Sequence, residues 1–308
     1  MPSIRELSIL IPVYNHVCVE LVRGLLAQCS EMPRGFRYEV VVIDDASTDI
    51  PAIKANNQLG EMENCRYLRL ETNVGRSKIR NILAGKAKFS QLIYLDCDVK
   101  LVNDNFIRSY CESSVNADVV SGGVTLLPDP GMAKSNLRYR YERMCLPKFT
   151  VEKRTAKPHD GFRTSNFRVS RELILKIPFD ERLLHYGYED VLWGKSLLEA
   201  GIKIEHIDNP VAIDDFEPNR EFIAKTEEGI CTLAKFTDDV RGYSIIITVS
   251  DKLHRIGLEG LARCTFTMLK PLIKRAITTG INPNVILFQA YRVGCFLEEK
   301  HKLRASKR

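Results

Sequence analysis

The sequence has no run of about 20 apolar residues, the length a membrane-spanning helix needs, so no transmembrane helix is expected. Its nine cysteines include no C-x-x-C pair and no zinc spacing. An odd, scattered set, with Cys18, Cys97, Cys111, Cys231 and Cys264 inside apolar patterns, reads as free buried thiols in a reducing cytosol. The N-terminus lacks a signal peptide's basic region and small-residue cleavage site, and its apolar run, Leu7 to Val13, is only strand-length. Internal repeats and low-complexity segments are absent. The body also lacks an excess of either charge. Residues 1–240 hold 32 Lys/Arg against 35 Asp/Glu, and residues 241–308 hold 13 against 4, balances of −3 and +9 within the total of +6. That argues against a nucleic-acid-binding body and directs any anionic partner to the tail.

What is present is ordinary globular composition: 308 residues, 44% apolar and 27% charged, enough for one large domain or a domain with an appendage. Leu7–Val13 (LSILIPV) and Glu39–Ile43 (EVVVI) read as buried strands, with Tyr67–Leu70 and Leu92–Leu95 as two more. Helical spacing at Leu21, Val22, Leu25 and Leu26, and again over Ser77–Ala87, separates them. Asp118–Val124, Asn166–Val169 and Ile202–Ile207 are further strand candidates. Glu189–Ala200 is a helix stopped by Gly201, and the chain from about 220 is mainly helical. Residues 126–164, rich in Arg, Lys, Pro and Tyr, read as irregular structure over the site. Strand-helix alternation over the first 100 residues predicts an α/β fold with a largely parallel sheet.

In such sheets ligands bind beyond the carboxyl ends of the strands. The polar clusters stand there: Tyr14-Asn15, Asp44-Asp45 and Asp96-Cys97-Asp98 each follow an apolar strand. Two carboxylates on alternate residues can hold a hard divalent cation together with diphosphate oxygens; a capped turn is the competing reading. Asp44 or Asp45 can accept a base N–H or a ribose hydroxyl, or else cap the helix near Pro51. Gly75 permits a tight turn before a helix whose N–H groups face anions, and Arg80 can reach a phosphate as a bidentate donor. Arg76 and Lys78 read equally well as a solvated face. Glu189-Asp190 opens a helix, where one carboxylate can serve as general base or both can complement the helix dipole.

The ordered set IPVYN (11–15), VVIDDASTD (41–49), NVGRSKIRN (73–81), DCD (96–98) and HYGYEDVLWGKSLLEAG (185–201), with TSNFRVSRELILKIPFDERL (164–183), resembles the family 2 glycosyltransferases of the GT-A fold. The likeness covers roughly residues 5–235. It implies a GT-A type, Rossmann-like mixed and mainly parallel sheet flanked by helices as a catalytic domain over 1–235, with a basic helical C-terminal extension over 236–308. It also implies inverting, single-displacement transfer from a nucleoside diphosphate sugar, often UDP-linked, to a hydroxyl of a glycan or lipid-linked acceptor, with Mn2+ or Mg2+ assisting. On this likeness Pro12, Tyr14 and Asn15 line the nucleotide pocket. Asp45 contacts the base with Asp44 close by, and Gly75 and Arg80 flank the nucleotide. Asp98 is the principal metal-linked acid, Asp96 serves ribose or metal, Asp190 is the base and Glu189 its companion.

One departure stands out. Related sequences carry a histidine a few residues after an N-P-V segment, whereas Asn209-Pro210-Val211 leads here to Ala212-Ile213-Asp214-Asp215. Asp214 or Asp215 can substitute, or the metal can rest on Asp98, diphosphate and water. His159 and His185 are lone histidines, read as structural or acceptor-side. In the tail, Leu258, Leu261, Phe266, Met268, Leu269, Leu272 and Ile273 form an apolar face among Lys and Arg. It suits peripheral contact with the inner face of the cell membrane, or docking on the catalytic domain or a second subunit in a homo-oligomer. A nucleotidyltransferase would carry a Gly-rich phosphate loop near the N-terminus, which IPVYN lacks. A non-catalytic nucleotide-sugar or glycan-binding protein would not need every acid.

Overall fold

The computed structural model describes residues 4–113, 117–184 and 186–306. Along the chain run β1 (Glu6–Val13), α1 (Val19–Ser30), β2 (Arg37–Asp44), α2 (Ile50–Asn57), β3 (Cys65–Arg69), α3 (Arg76–Lys86), β4 (Gln91–Leu95), β5 (Val99–Leu101), α4 (Phe106–Glu112), β6 (Val119–Ser121) and β7 (Val124–Leu126). Then follow α5 (Pro130–Ser135), α6 (Leu137–Cys145), α7 (Val151–Ala156), β8 (Asn166–Ser170), α8 (Arg171–Lys176), α9 (Glu189–Glu199), β9 (Ile204–His206) and β10 (Val211–Ile213). Four helices end the chain: α10 (Asn219–Lys235), α11 (Ile245–Arg255), α12 (Glu259–Thr279) and α13 (Val285–Ser306). The fold is mixed α/β with a mostly parallel central sheet and a helical C-terminal extension.

The chain forms two compact units. The first comprises Met1–Leu127, Lys148–Leu184 and Glu189–Asp215, and the second Pro128–Pro147, His185–Tyr188 and Phe216–Arg308. In the first unit the main sheet has seven strands in the order β3-β2-β1-β4-β8-β6-β9, with β8 antiparallel to both neighbours. Alternation along β1 and β2 sends Ile9, Ile11, Val40 and Val42 to one face, against Val22 and Leu25 of α1 and Phe106 and Tyr110 of α4. Leu10, Val41 and Ile43 point to the other, against Leu83 of α3, Ile174 of α8 and Trp193 of α9. Burial on both faces is why these strands read as continuous apolar runs.

A second sheet, β5-β10-β7, sits beside the carboxyl end of β4. It was invisible in the sequence because three-residue strands carry no period. The expected strand over Asp118–Val124 is two, β6 and β7, parted at Gly122-Gly123. Residues 126–164 are also not irregular: they hold α5, α6 and α7. Asp129 caps α5 by accepting from the Gly131 and Met132 N–H groups, and Asn136 caps α6 by accepting from Tyr139 N–H. At six, nine and six residues these helices are too short to display a helical period. Arg154 of α7 is buried and donates to the carbonyls of Phe149, Ser121, Gly122 and Ile207 and to Nδ1 of His206. His206 Nε2 in turn meets the carbonyl of Pro158. A carbonyl can only accept, so the proton sits on Nε2 and the ring is neutral; burial, with the Arg154 charge beside it, pushes its pKa down to about 4.

The second unit is helical. α13 buries Phe288, Tyr291, Gly294, Cys295, Phe296 and Leu297, and α10, α11 and α12 pack on it. Gly294 allows the α12 crossing to be close: a Cβ there would lie 2.1 Å from the Phe266 ring. Of the apolar face read in the tail, Phe266 is therefore buried and Ile273 is half-buried. Leu258, Leu261, Met268, Leu269 and Leu272 are exposed. No helix among the described residues is long and apolar enough to cross a membrane. All nine cysteines are free, most of them buried, with Cys97 and Cys231 half-buried and Cys264 exposed.

Candidate active site

Val13 at the end of β1 pairs with Asp44 at the end of β2, so the loops after them lie side by side. Asn15 stitches them together. It takes a left-handed φ of 52°, donates its N–H to Ser47 Oγ at 2.8 Å, and accepts at Oδ1 from the N–H groups of Thr48 (2.7 Å) and Asp49 (2.9 Å). Pro12 is half-buried and Tyr14 is 49% exposed at this strand end. Asp44 is wholly buried and accepts from Ser47 N–H at 2.6 Å and from the Tyr67 hydroxyl at 2.7 Å. Asp45 accepts from Val74 N–H at 2.7 Å and Gly75 N–H at 3.0 Å. Burial raises the Asp45 carboxyl above its ordinary range against those two N–H groups, and the Asp44 charge adds to the rise. Gly75 has φ of 84°, and a Cβ on it would come within 3.0 Å of the Leu184 carbonyl. Both facts favour glycine.

At the end of β4, Asp96 N–H donates to the Ser165 carbonyl at 3.1 Å, a consequence of the antiparallel β4–β8 register. Arg80, on α3 and 2% exposed, donates from Nη2 to Asp96 Oδ1 at 2.6 Å and from Nη1 to the Arg76 carbonyl at 3.1 Å. The same Nη1 lies 3.7 Å from Glu189 Oε1, and the guanidinium sits over the Phe179 ring at 5.9 Å. Burial opposes ionisation of Asp96. The charges of Arg80 and Arg76 and hydrogen bonds from Ser165 and Arg80 outweigh it, so its pKa is held below the ordinary value.

Asp98 leads into β5, and Asp214 follows β10. These strands are antiparallel with Val99 opposite Ile213, and Asp214 N–H donates to the Asp98 carbonyl at 3.1 Å. Register thus brings the acid that stands after Asn209-Pro210-Val211 beside Asp98. Asp215 is 3.6 Å from His16 Nδ1. Among the described residues no three His, Cys, Asp or Glu side chains already form a metal cage. The neighbouring acids offer hard oxygen donors, which suit Mn2+ or Mg2+ with ligand oxygens and water completing the shell.

Glu189 and Asp190 are the first two residues of α9. Glu189 is buried and lies 3.4 Å from Arg76 Nη1. Asp190 is partly exposed and accepts from Val191 N–H at 2.8 Å. Burial, with the Glu189 charge adding, pushes Asp190 up to about 6, against Val191 N–H, Arg163 and Arg80. Such a carboxylate is ionised at neutral pH yet basic enough to take a proton. The helix is anchored by Trp193, which donates Nε1–H to the Ile177 carbonyl at 2.9 Å and stacks on Phe179 at 4.8 Å.

Several contributors escaped the sequence reading. Ser165 and Arg163 act on Asp96 and Asp190 from the segment before β8, and Tyr67 satisfies Asp44 from β3. Only strand register could have found them. His159 meets the Ile202 carbonyl through Nε2 at 2.9 Å. His185 lies outside the described residues.

Sheet order, acidic strand ends and the carboxylate pair opening α9 define an α/β transferase of the GT-A type. The glycosyl transferase family 2 model matches residues 8–176, and the chain belongs to that family. It is a glycosyltransferase-type enzyme. It is 24% identical over 314 residues to the chondroitin synthase of Pasteurella multocida (strain Pm70), covering 91% of this chain and 32% of that protein. It is 33% identical over 98 residues to an uncharacterised glycosyltransferase of Haemophilus influenzae (strain ATCC 51907 / DSM 11121 / KW20 / Rd), covering 32% of this chain and 38% of that one. The chain spans about a third of the length of these curated relatives. The mannosyltransferase of Pyrobaculum calidifontis, solved with GDP-Man and Mn2+, shares the fold with a TM-score of 0.59 at 16% identity, over 98% of this chain and 86% of that one.

Proposed function

We propose that this enzyme inverts the anomeric centre in one displacement. It moves a sugar from a UDP-linked donor to a hydroxyl of a glycan or lipid-linked acceptor. The observation that carries this reading is Asp190, a partly exposed carboxylate raised to about 6 at the start of an anchored helix. Asp190 takes the acceptor proton as the oxygen attacks, and the sugar–diphosphate bond breaks with oxocarbenium character. Glu189 holds the arginines that hold Asp96. Pro12, Tyr14, Asn15, Asp45 and Gly75 line the nucleotide side, with Asp96 toward the ribose. Asp44 and Arg80 position these groups from beneath. A divalent cation, held by Asp98 with Asp96 and the neighbouring Asp214, would supply positive charge against the departing diphosphate. The Mn2+ in the P. calidifontis enzyme supports a metal, and its GDP-Man makes guanine the competing base.

A thermal-shift screen of UDP-, GDP- and dTDP-sugars with Mn2+ tests the donor. At hundredfold excess over Kd a UDP-sugar should raise Tm by roughly 5 °C. A rise with GDP- or dTDP-sugars alone would overturn the base assignment, and no rise with any would overturn the donor reading.

The tail supports a peripheral contact with the cytoplasmic face of an anionic membrane. On α12, Leu261 (66% exposed), Met268 (79%) and Leu272 (66%) share one face in a tail of charge +9. Co-sedimentation with phosphatidylglycerol vesicles should fall when these three become serine. Equal sedimentation by both proteins would sink the idea.

A further inference from the structure

Asn166 opens β8 opposite Leu95 of β4 and is 1% exposed. The residue before it, Ser165, accepts from Asp96 N–H. The Asn166 side chain reaches three other segments of the sheet unit. Nδ2 donates to the carbonyls of Gly123 and Asn209, each at 2.8 Å, and Oδ1 accepts from the Tyr110 hydroxyl at 2.7 Å. Its main-chain carbonyl accepts from Gly122 N–H at 3.2 Å. The amide's donors and its oxygen are thus engaged in a place closed to water. An aspartate here would set an oxygen against two carbonyls, and a leucine would strand all three partners.

Asn209, which receives one of those bonds, is itself wholly buried. It donates Nδ2–H to the Phe106 carbonyl at 3.0 Å and its main-chain N–H to the Gly122 carbonyl at 3.3 Å. Two residues on, Val211 opens β10 and donates its N–H to the Gly123 carbonyl at 3.3 Å. β10 then runs antiparallel to β5, and Asp214 N–H meets the Asp98 carbonyl. One buried amide therefore ties the end of β4, where Asp96 stands, to the small sheet that carries Asp98 and Asp214. Packing at the tie leaves no slack. A Cβ on Gly122 would lie 2.4 Å from the Asn209 carbonyl oxygen and 2.6 Å from both Asn166 Nδ2 and the Tyr110 hydroxyl. Among the described residues no three metal-ligating side chains form a cage, so the frame beneath the acids sets their spacing.

We propose that Asn166, with Tyr110 and Gly122, is a positioning residue of the cation site: it acts through Asn209 and β10 to hold Asp214 beside Asp98 for a divalent ion. This rests on the reading of Asp98 and Asp214 as cation ligands. Metal ligands depend on such outer support, and its loss typically weakens binding by about 10- to 100-fold. The test titrates Mn2+ into the full chain with saturating UDP and reads free Mn2+ by electron paramagnetic resonance, well below the unfolding temperature of each variant. Asn166→Ala and Gly122→Ala should weaken Mn2+ binding about tenfold, and the milder Tyr110→Phe about threefold. UDP affinity without metal should stay within roughly a factor of two in all three. Ile174→Ala, in the core on the other face of the main sheet, is the stability control. It should lower Tm yet leave Mn2+ affinity unchanged, whereas a merely structural role for Asn166 would make all the variants alike. Mn2+ affinity equal to the parent in folded Gly122→Ala and Tyr110→Phe, or a loss matched by Ile174→Ala, would overturn the proposal. Asp98→Asn separates it from the reading beneath it. Normal Mn2+ binding by Asp98→Asn would refute the ligand assignment and the positioning role with it. Loss in Asp98→Asn with none in the network variants would refute the positioning role alone.

Discussion

Two acidic dipeptides of the first unit, at the end of β2 and at the start of α9, are held in opposite ways. Asp44-Asp45 at the end of β2 is surrounded by neutral donors: two backbone N–H groups on Asp45, one N–H and one phenol on Asp44. Glu189-Asp190 at the start of α9 is surrounded by charge, with Arg76 and Arg80 on Glu189 and the fields of Arg163 and Arg80 on Asp190. Neutral donors fix a carboxylate in place and make it part of a loop's framework. Guanidinium groups hold one acid of a pair and leave the other free to change its protonation. The same motif thus serves as scaffold in one place and supports chemistry in the other.

The largest test of that contrast is Asp190→Asn. Transfer should fall about a thousandfold while UDP binding stays within a factor of two. Kinetics on any working donor–acceptor pair together with UDP titration would show it, and transfer at the normal rate would refute the base assignment. Stability should move the other way. A carboxyl whose folded pKa is raised contributes stability below its unfolded value near 3.8, and that contribution is lost as pH rises through about 6. The amide should therefore be more stable at pH 7.5 by about 1 kcal/mol, allowing for partial exposure.

Arg80→Met is next. It removes the cation from Asp96 and Glu189 together and leaves two partly or wholly buried carboxylates short of charge. The expected loss is about 3 kcal/mol by urea denaturation. Arg80→Lys should lose less, since a single ammonium can satisfy one acid but not both. A loss below about 1 kcal/mol for the methionine variant would mean that the bridge between the two motifs has little weight.

The β2 pair should then separate into framework and ligand. Asp44→Ala strands the Tyr67 hydroxyl and the Ser47 N–H in a fully buried place, so unfolding free energy should drop by about 2 kcal/mol. Asp45→Ala frees two N–H groups at a more open loop and should cost about 1 kcal/mol, but with roughly tenfold weaker UDP binding. If the two variants lost stability and donor affinity alike, the division between them would collapse.

How much of this was legible beforehand follows from length and register. Leu7–Val13 and Glu39–Ile43 announced themselves because a strand buried on both faces is apolar throughout, and their polar ends then located Tyr14, Asn15, Asp44 and Asp45. Asp96 and Asp98 were legible for the same reason. Their partners were not. Asp98 meets Asp214 only because β5 and β10 pair, and neither strand is long enough to show a pattern. Arg80 read as a bidentate phosphate ligand; its burial against Phe179 and its hold on Asp96 arise from packing that no local spacing encodes. α5, α6 and α7 were hidden by brevity, although Asp129-Pro130 and Asn136 were capping signals in plain view.

The smallest expected effect is the most specific. The deprotonated form of Asp190 is the active one, so transfer should decline tenfold per pH unit below about 6 and level off above it. Arg163 opposes the rise in the Asp190 pKa through its charge, and its guanidinium is seated on the Phe149 ring at 4.4 Å. Arg163→Gln removes that field, so the proton is held more tightly and the acidic limb should move to higher pH, by about 0.3 unit given partial solvent screening. The plateau rate should change little. A pH–rate profile for both proteins measures the shift directly. A limb that stays in place, or moves to lower pH, would show that Asp190 is governed by burial and Glu189 alone, and that the arginines around this pair serve its placement rather than its proton affinity.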